Sequence, residues 1–355
     1  KALPCISEDL TIMEKVLLGM SGGVDSSAAA LLLTEQGYNV TGITLKLCKE
    51  DKEQDLTDAK AVCEKIGIKH ITLDLKKEFG EKVISAFIDD YKNGLTPNPC
   101  LECNKYIKFG SLLRFALENG FQKIATGHYA RVEQQGDRFI LKKAADISKD
   151  QSYVLYSLTQ HQLSHLLLPL GGLSKAQIRE KAEKSGLVNA NRPDSQDICF
   201  VPDGDYASFI EKTDGFVSSK GDYVDINGAV LGKHEGIINY TIGQRKGLGI
   251  ALGKPQFVID KNADTNTVIL GDEEHLFKTE VLVKDVNFIP FDRLEEEMKI
   301  KAKLRYRHKE SPATLYNAEN GNVKIVFSSP QRAPSAGQAA VFYDGDTVVG
   351  GGKIM

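Results

Sequence analysis

The sequence predicts an α/β fold in which a parallel-sheet domain precedes two small β-rich domains, and three observations lead there. The stretch Lys15-Val-Leu-Leu-Gly-Met-Ser-Gly-Gly-Val-Asp-Ser-Ser27 reads as an apolar strand, a glycine turn and a helix start, with the helix stopping near Gly37. Segments of strand character then alternate with helical segments of about a dozen residues, which implies parallel pairing with helices on both faces. From about Gly215 the pattern changes to short strands with frequent glycines. A chain of 355 residues is too long for one ordinary core. The division read from these changes is an extension at 1–13, a parallel-sheet domain at 14–213, a central β-rich domain at 214–280 and a β-barrel at 281–355.

Taken in order, the glycine turn comes first. Gly22 and Gly23 let the backbone turn sharply and approach a ligand, while Ser21, Ser26, Ser27 and the free amides of the helix start offer donors to an anion. No Lys follows the glycines as in a Walker A loop, and the turn is too short for the dinucleotide pattern. Asp25 suits Mg²⁺ or helix capping better than an anion site. Strands at 39–47 and 70–75 flank a helix at 55–68, and a helix at 78–91 is closed by Asn93-Gly94. Ligands of such sheets sit beyond the carboxyl ends of the strands, so the turn and the segment after the second strand border one nucleotide. In Thr96-Pro-Asn-Pro-Cys-Leu-Glu-Cys103 two prolines predict an exposed loop that leads into a helix at 108–118.

Lys123-Ile-Ala-Thr-Gly-His-Tyr129 reads as a further strand ending at the same edge, where Gly127 would admit a close approach by the nucleotide. The segment 131–145 reads as a hairpin, and helices are expected at about 149–168 and at 174–185, the latter with a Ser N-cap. A second long loop, Arg192-Pro-Asp-Ser-Gln-Asp-Ile-Cys-Phe-Val-Pro202, carries Cys199. The β-rich part includes 221–232 and Tyr240-Thr-Ile-Gly-Gln-Arg-Lys-Gly-Leu-Gly249. The barrel is expected to hold strands at 299–306, 323–327 and 339–343, with a last strand after the turn Asp344-Gly345-Asp346.

The formal net charge of −3 argues against uniform attraction to nucleic acid but leaves room for a local basic face. No apolar run approaches the roughly 20 residues that span a bilayer, and no charged-then-apolar leader is read at the amino end, so a cytoplasmic location without membrane partners is expected. Six cysteines at irregular spacing read as reduced thiols rather than a disulfide framework. Cys63 has the spacing of a core residue; Cys5 and Cys48 receive no chemical role. Met13 precedes Glu14-Lys15-Val16, so the twelve residues before it are expected to lie outside the folded unit.

The run Ser21-Gly-Gly-Val-Asp-Ser-Ser27 resembles the pyrophosphate (PP) loop of ATP pyrophosphatases. The chain from about Lys15 onward resembles the tRNA-specific 2-thiouridylase family. The likeness rests also on Thr96-Pro-Asn-Pro99, Cys103-Asn-Lys105, Ile107-Lys-Phe109, Thr126-Gly-His-Tyr-Ala130, Lys149-Asp-Gln-Ser-Tyr153, Asp194-Ser195, Ile198-Cys-Phe200 and 240–249. The resemblance implies a PP-loop catalytic domain that uses ATP and Mg²⁺ to put sulfur on carbon 2 of the wobble uridine, at position 34 of lysine, glutamate and glutamine tRNAs. Uracil O2 is adenylated with release of pyrophosphate, and sulfur then displaces AMP. Carried over by position, Gly19, Met20, Ser21, Gly22, Gly23, Val24, Asp25, Ser26, Leu45 and Gly127 surround ATP; Leu45 stands where the family has Met, a volume-conserving change. Asn98, Cys100, His128, Lys149, Asp150, Gln151, Arg305, Arg307 and Gln338 touch tRNA. Lys105 and Lys108 read either as solvated charge or as partners of its phosphates.

By the same resemblance Cys199 carries sulfur as a persulfide, received from a sulfur-carrier protein or cysteine desulfurase, and Cys103 is the nucleophile that frees it. Cys100 departs from the family, which has Asp there, and a thiol of pKa about 8.5 is no substitute for a carboxylate of pKa about 4. Cys100, Cys103 and Cys199 together are also the right number to hold a [4Fe–4S] cluster with one iron open to free sulfide. Cluster, two-cysteine relay and a structural zinc site stay open at this point. Two other functions are weighed: a PP-loop ATP pyrophosphatase acting on a small molecule, and a tRNA-binding module that has lost catalysis through Cys100.

Overall fold

The computed structural model describes residues 13–48, 53–187, 189 and 198–355. The expected extension at 1–12, Cys5, Asp194-Ser195 and most of the loop before Cys199 lie outside the described residues. In chain order, β1 (Lys15–Gly19), β2 (Asn39–Lys46), β3 (Lys69–Asp74) and β4 (Lys123–Ala125) are followed by β5 (Ala130–Gln135), β6 (Arg138–Lys143) and the short β7 (Leu166–Leu167). A sheet of order β3-β2-β1-β4-β7 forms with every pairing parallel. Its central strand is buried on both faces, with Val16, Leu17 and Leu18 all fully enclosed, which is why the strand reads as an unbroken apolar run rather than an alternation. Helices α1 (Val24–Glu35) and α2 (Glu53–Ile66) complete the first crossovers. The Lys175–Lys184 helix packs beside α1, and its Ser174 N-cap forms a capping box with Gln177 worth about 1 kcal/mol.

Several sequence expectations are corrected here. The helix expected at 108–118 starts at Pro99: Pro99–Glu102, a π-helical Cys103–Ser111 and Leu112–Glu118 run on as one. Asn98 accepts a hydrogen bond from the Cys100 amide at 3.2 Å, and Pro99 occupies the first turn, where a missing N–H costs nothing. Prolines read as helix breakers are here a helix start. The helix expected at 149–168 is instead two 3₁₀ turns, the short helix Gln160–Ser164 and β7, which joins the sheet. The stretch 240–249 holds no strand.

Two β-rich units follow. Gly221–Val224, Val230–His234, Phe257–Asn262 and Thr267–Gly271 make a four-stranded sheet. Further on, Met298–Lys303, Ser311–Asn317, Val323–Arg332 and Ala339–Asp344 lie between Phe277–Phe288 and Thr347–Ile354, and pairing of these last two closes the ring into a barrel. Phe277–Phe288 and Ser311–Asn317 are strands not read from the sequence. The hairpin β5–β6, read as part of the first domain, is hydrogen-bonded to the barrel sheet through Lys142 opposite Thr347. Lys143 secures that join, its Nζ donating at 2.8 Å to Glu310 Oε2 and to the Gly345 carbonyl. One apolar core accordingly runs from Leu17 and Ile124 of the parallel sheet to Ala339, Val341 and Tyr343 of the barrel.

Candidate active site

The glycine turn leaves β1 at Gly19 and is anchored to β2. The Met20 amide donates to the Ile43 carbonyl at 2.7 Å, and Thr44 Oγ1 donates to the Met20 carbonyl at 2.9 Å. Gly22 has φ +73°, and a Cβ there would lie 2.5 Å from the Asp55 carbonyl oxygen, so the position admits only glycine on both conformational and steric grounds. Gly23 is the N-cap of α1 and supplies no side-chain cap, which leaves first-turn amides with no side-chain acceptor. This fits an anion held by backbone N–H groups and the helix dipole. Ser26 and Ser27, expected to donate to that anion, instead donate their hydroxyls to the Gly23 carbonyl at 3.0 Å. Asn189 locks the turn from outside, donating at 2.8 Å to the Gly22 carbonyl and to Ser27 Oγ.

Asp25 does not cap the helix, whose N-cap is Gly23, and its carboxylate is engaged by protein partners. Both its carboxylate oxygens receive the Lys175 ammonium at 2.8 Å, and Tyr129 donates its hydroxyl to Oδ1 at 2.7 Å. Lys175 is buried, with its Nζ 5.6 Å from the centre of the Tyr129 ring. Among the described residues no group of three His, Cys, Asp or Glu side chains is arranged to hold a metal ion. The residues at the turn therefore suit the triphosphate of ATP, the form in which a nucleotide brings Mg²⁺ with it. Leu45 is half-buried at the end of β2, where adenine was expected to pack. Gly127 packs against the start of α1: a Cβ there would lie 3.0 Å from Asp25 C and Ser26 N, so glycine lets this strand end approach the turn closely.

The thiols gather beside this turn. Cys48 and Leu75, which follow β2 and β3, share an apolar cluster with Cys103, Ile107, Phe200 and Val201. Phe200 lies 5.7 Å from Phe79, 5.4 Å from Phe87 and 5.2 Å from Phe209 between ring centres, and this aromatic nest fixes the segment that carries Cys199. Cys103 is 8% exposed, whereas Cys100 and Cys199 are exposed, and all three are reduced. Burial pushes the Cys103 thiol up to about 12, with Lys108 opposing the rise and the nearby Cys199 and Cys100 adding to it. Cys100 is likewise raised by desolvation from the surrounding protein, again against the pull of Lys108. Cys103 feels both other thiols, but among the described residues the three are not arranged as a metal site, so the expected [4Fe–4S] ligand set of Cys100, Cys103 and Cys199 is not formed. Cys63 is a core residue beneath Gly42, as read, with burial raising its thiol to about 11.

The residues expected to touch tRNA divide sharply. Cys100 and Arg307 are exposed, and Lys149 is half-buried. His128 is buried, its Nδ1 is 2.8 Å from Thr126 Oγ1, and burial followed by the Lys108 charge holds its pKa well below the ordinary imidazole value, so the ring is neutral. Asn98 caps its helix, and Asp150 accepts from the Ala144 amide at 3.0 Å and the Ser152 hydroxyl at 2.8 Å. Gln151 accepts from the Tyr129 amide at 2.9 Å, and Gln338 donates to the Thr96 carbonyl at 2.8 Å. Arg305 donates to the carbonyls of Ile242 and Ala333 and, at 2.6 Å, to Ser335 Oγ. These six side chains are each hydrogen-bonded within the protein. Lys175, Tyr129 and Asn189 were not singled out in the sequence: each reaches the turn from more than a hundred residues away, and no local pattern marks such a contact.

Comparison with known proteins follows this geometry. Residues 14–203 match the family described as tRNA methyl transferase HUP domain, 208–272 its PRC-barrel domain and 278–354 the aminomethyltransferase beta-barrel domain. The tRNA-specific 2-thiouridylase of Clostridioides difficile is 51% identical over 353 residues, covering 96% of this chain and 98% of that one. The chain belongs to the tRNA-specific 2-thiouridylase family. Members from Acetivibrio thermocellus and Clostridium beijerinckii are 49% and 48% identical, each across 96% of this chain and 99% and 98% of their own. The 2-thiouridylases thus match the whole arrangement of parallel sheet, four-stranded sheet and barrel.

Proposed function

We propose that this protein is an ATP-dependent tRNA sulfurtransferase that 2-thiolates the wobble uridine. The observation that carries the reading is the meeting, at one sheet edge, of an uncapped helix start behind a glycine turn and a pair of cysteines from two distant segments. The first suits a pyrophosphate-releasing nucleotide, and the second suits sulfur transfer; neither alone would need the other. ATP is a substrate here, held by the amides of the turn and the first turn of α1. Attack of uracil O2 on the α-phosphate makes that oxygen a leaving group and releases pyrophosphate. A base stacked in an anticodon is out of reach and must be extruded into the cleft. Among the described residues no helix is long and apolar enough to cross a membrane.

Sulfur arrives as a persulfide on Cys199, handed on by a persulfidated carrier protein or desulfurase. Cys103 keeps its proton at neutral pH, and that proton is what the departing sulfur requires. Cys103 Sγ bonds to Cys199 Sγ, the persulfide S–S bond breaks, and the terminal sulfur takes the thiol proton and leaves as HS⁻, with a Cys103–Cys199 disulfide behind it. Sulfide then displaces AMP from carbon 2. The departure from the family at Cys100 is compatible with this route, which asks nothing of that side chain. The test is thiolation of wobble-uridine tRNA with ATP and a persulfide donor, following nucleotide products: AMP and pyrophosphate in equal amounts with the thiolated base support the reading, and ADP overturns it.

A further inference from the structure

The stretch around 240–249, conspicuous in the sequence, has no role in this chemistry. It belongs to a longer segment, 236–259, that contains Arg245, Lys246 and Lys254 and no acidic residue, in a protein whose formal net charge is −3. Between Asn239 and Phe257 the chain forms neither helix nor strand, yet it is well tied. The Gly243 amide donates to the Val258 carbonyl at 2.8 Å, the Val258 amide to the Gln244 carbonyl at 2.9 Å, and the buried Tyr223 hydroxyl to the Leu248 carbonyl at 2.6 Å. On this frame Arg245 and Lys246 are exposed and have no ion-pair partner among the described residues. A cavity of about 460 Å³ lies alongside, walled by Arg245, Leu248, Ile250, Leu252 and Lys254. Among the described residues Lys254 pairs with the half-exposed Asp272 at 2.8 Å, a pair of the kind that contributes little and yields readily to a stronger anion.

The segment is also coupled in space to the reactive helix. Arg305 joins the Ile242 carbonyl to Ser335, and the Ala336 carbonyl and Gln338 side chain hold the amide and carbonyl of Thr96, two residues before the Asn98 cap. We propose that the 241–256 loop is a docking surface for the phosphodiester backbone of the tRNA stem outside the anticodon loop, gripped by Arg245, Lys246 and Lys254 with sugar faces against Ile250 and Leu252. This rests on the tRNA reading above. Two exposed cations without an ion-pair partner among the described residues, beside a third whose pairing with Asp272 is solvent-exposed, are what a polyanion's backbone requires, and the absence of an aromatic in the cavity wall argues for backbone and against base stacking.

The experiment compares full-length tRNA with its isolated anticodon stem-loop, by filter binding over a series of KCl concentrations, for wild type, Arg245→Ala/Lys246→Ala and Arg245→Lys/Lys246→Arg. The preference for full-length tRNA over the stem-loop is expected to fall about fivefold in the alanine variant, with the salt slope reduced by about one to two phosphate contacts, and to return in the conservative variant. An unchanged preference and slope overturns the proposal, as does equal loss on both RNAs. Retained tRNA preference with lost sulfur uptake from a persulfidated carrier also overturns it, since the loop would then face a protein. Wild type that binds neither RNA would remove the tRNA reading itself, and the docking surface with it.

Discussion

The glycine turn and the cysteine-bearing helix lie at the same edge of the sheet and are built in opposite ways. The turn is backbone: its carbonyls are engaged by Thr44, Ser26, Ser27 and Asn189, and the helix that it opens has no side-chain cap. The helix is side chain: it carries one buried thiol and one exposed thiol over an apolar floor, opposite a third thiol supplied by a separate segment. A site made of backbone is preset by the fold and insensitive to proton concentration. One made of thiols takes its reactivity from burial and from neighbours such as Lys108, so its state shifts with pH and with the sulfur it holds.

The largest expected effect breaks the first half of this contrast. Gly22→Ala forces a Cβ into the Asp55 carbonyl in a left-handed conformation, for a combined cost of about 2–5 kcal/mol. Pyrophosphate release should disappear, and the thermal midpoint should drop by several degrees; a variant that still makes AMP would show the turn to be adaptable. On the thiol side, Cys103→Ala and Cys199→Ala should each cut thiolation by at least about a hundredfold while tRNA-dependent pyrophosphate release persists. Cys100→Ala should retain most of its thiolation, measured by mass spectrometry of the tRNA nucleosides. Loss in all three, with iron in anaerobically purified protein, would replace the two-cysteine relay by a cluster.

Lys175→Met sharpens the comparison at lower amplitude. It strands the Asp25 carboxylate at the mouth of the turn and should cost about 2 kcal/mol in denaturant unfolding, and Asp25→Asn in the same chain should recover part of that. Full additivity of the two changes would mean that the pair is not coupled. The smallest effect is a titration. With Cys103 raised to about 12, alkylation of that thiol should climb about tenfold per pH unit from 7 to 9 with no plateau. The same shift stabilises the folded protein fully below the ordinary thiol pKa near 9, and that contribution is lost as pH rises from there through 12. A plateau below pH 9 would place an ionised sulfur in the cluster.

What was legible in the sequence follows the same line. Strand, turn and uncapped helix are local, so Lys15 to Ser27 and the alternation through β3 could be read directly, and the thiols could be picked out by type. Their state could not. Whether Cys103 is buried and protonated depends on Phe200 and the aromatic nest, and whether Asp25 is open depends on Lys175, both of which arrive from distant chain. Pro97 and Pro99 misled because the same ring that ends a helix also begins one, and only the Asn98 side chain tells the two apart. The tRNA-contact residues were selected by position in a motif, which could not reveal that most of them also hydrogen-bond within the protein.

The hairpin β5–β6 completes a sheet whose other members are the last strands of the chain. On the ribosome this ribbon emerges early and waits, with an unpaired edge, until residues beyond Thr347 are made. A polypeptide halted before Thr347 would keep every atom of the nucleotide turn and both reactive sulfurs, yet leave that ribbon without its neighbour. Translation that finishes is thereby a condition for a sound first half, and release of incomplete chains should yield aggregates rather than a smaller working enzyme.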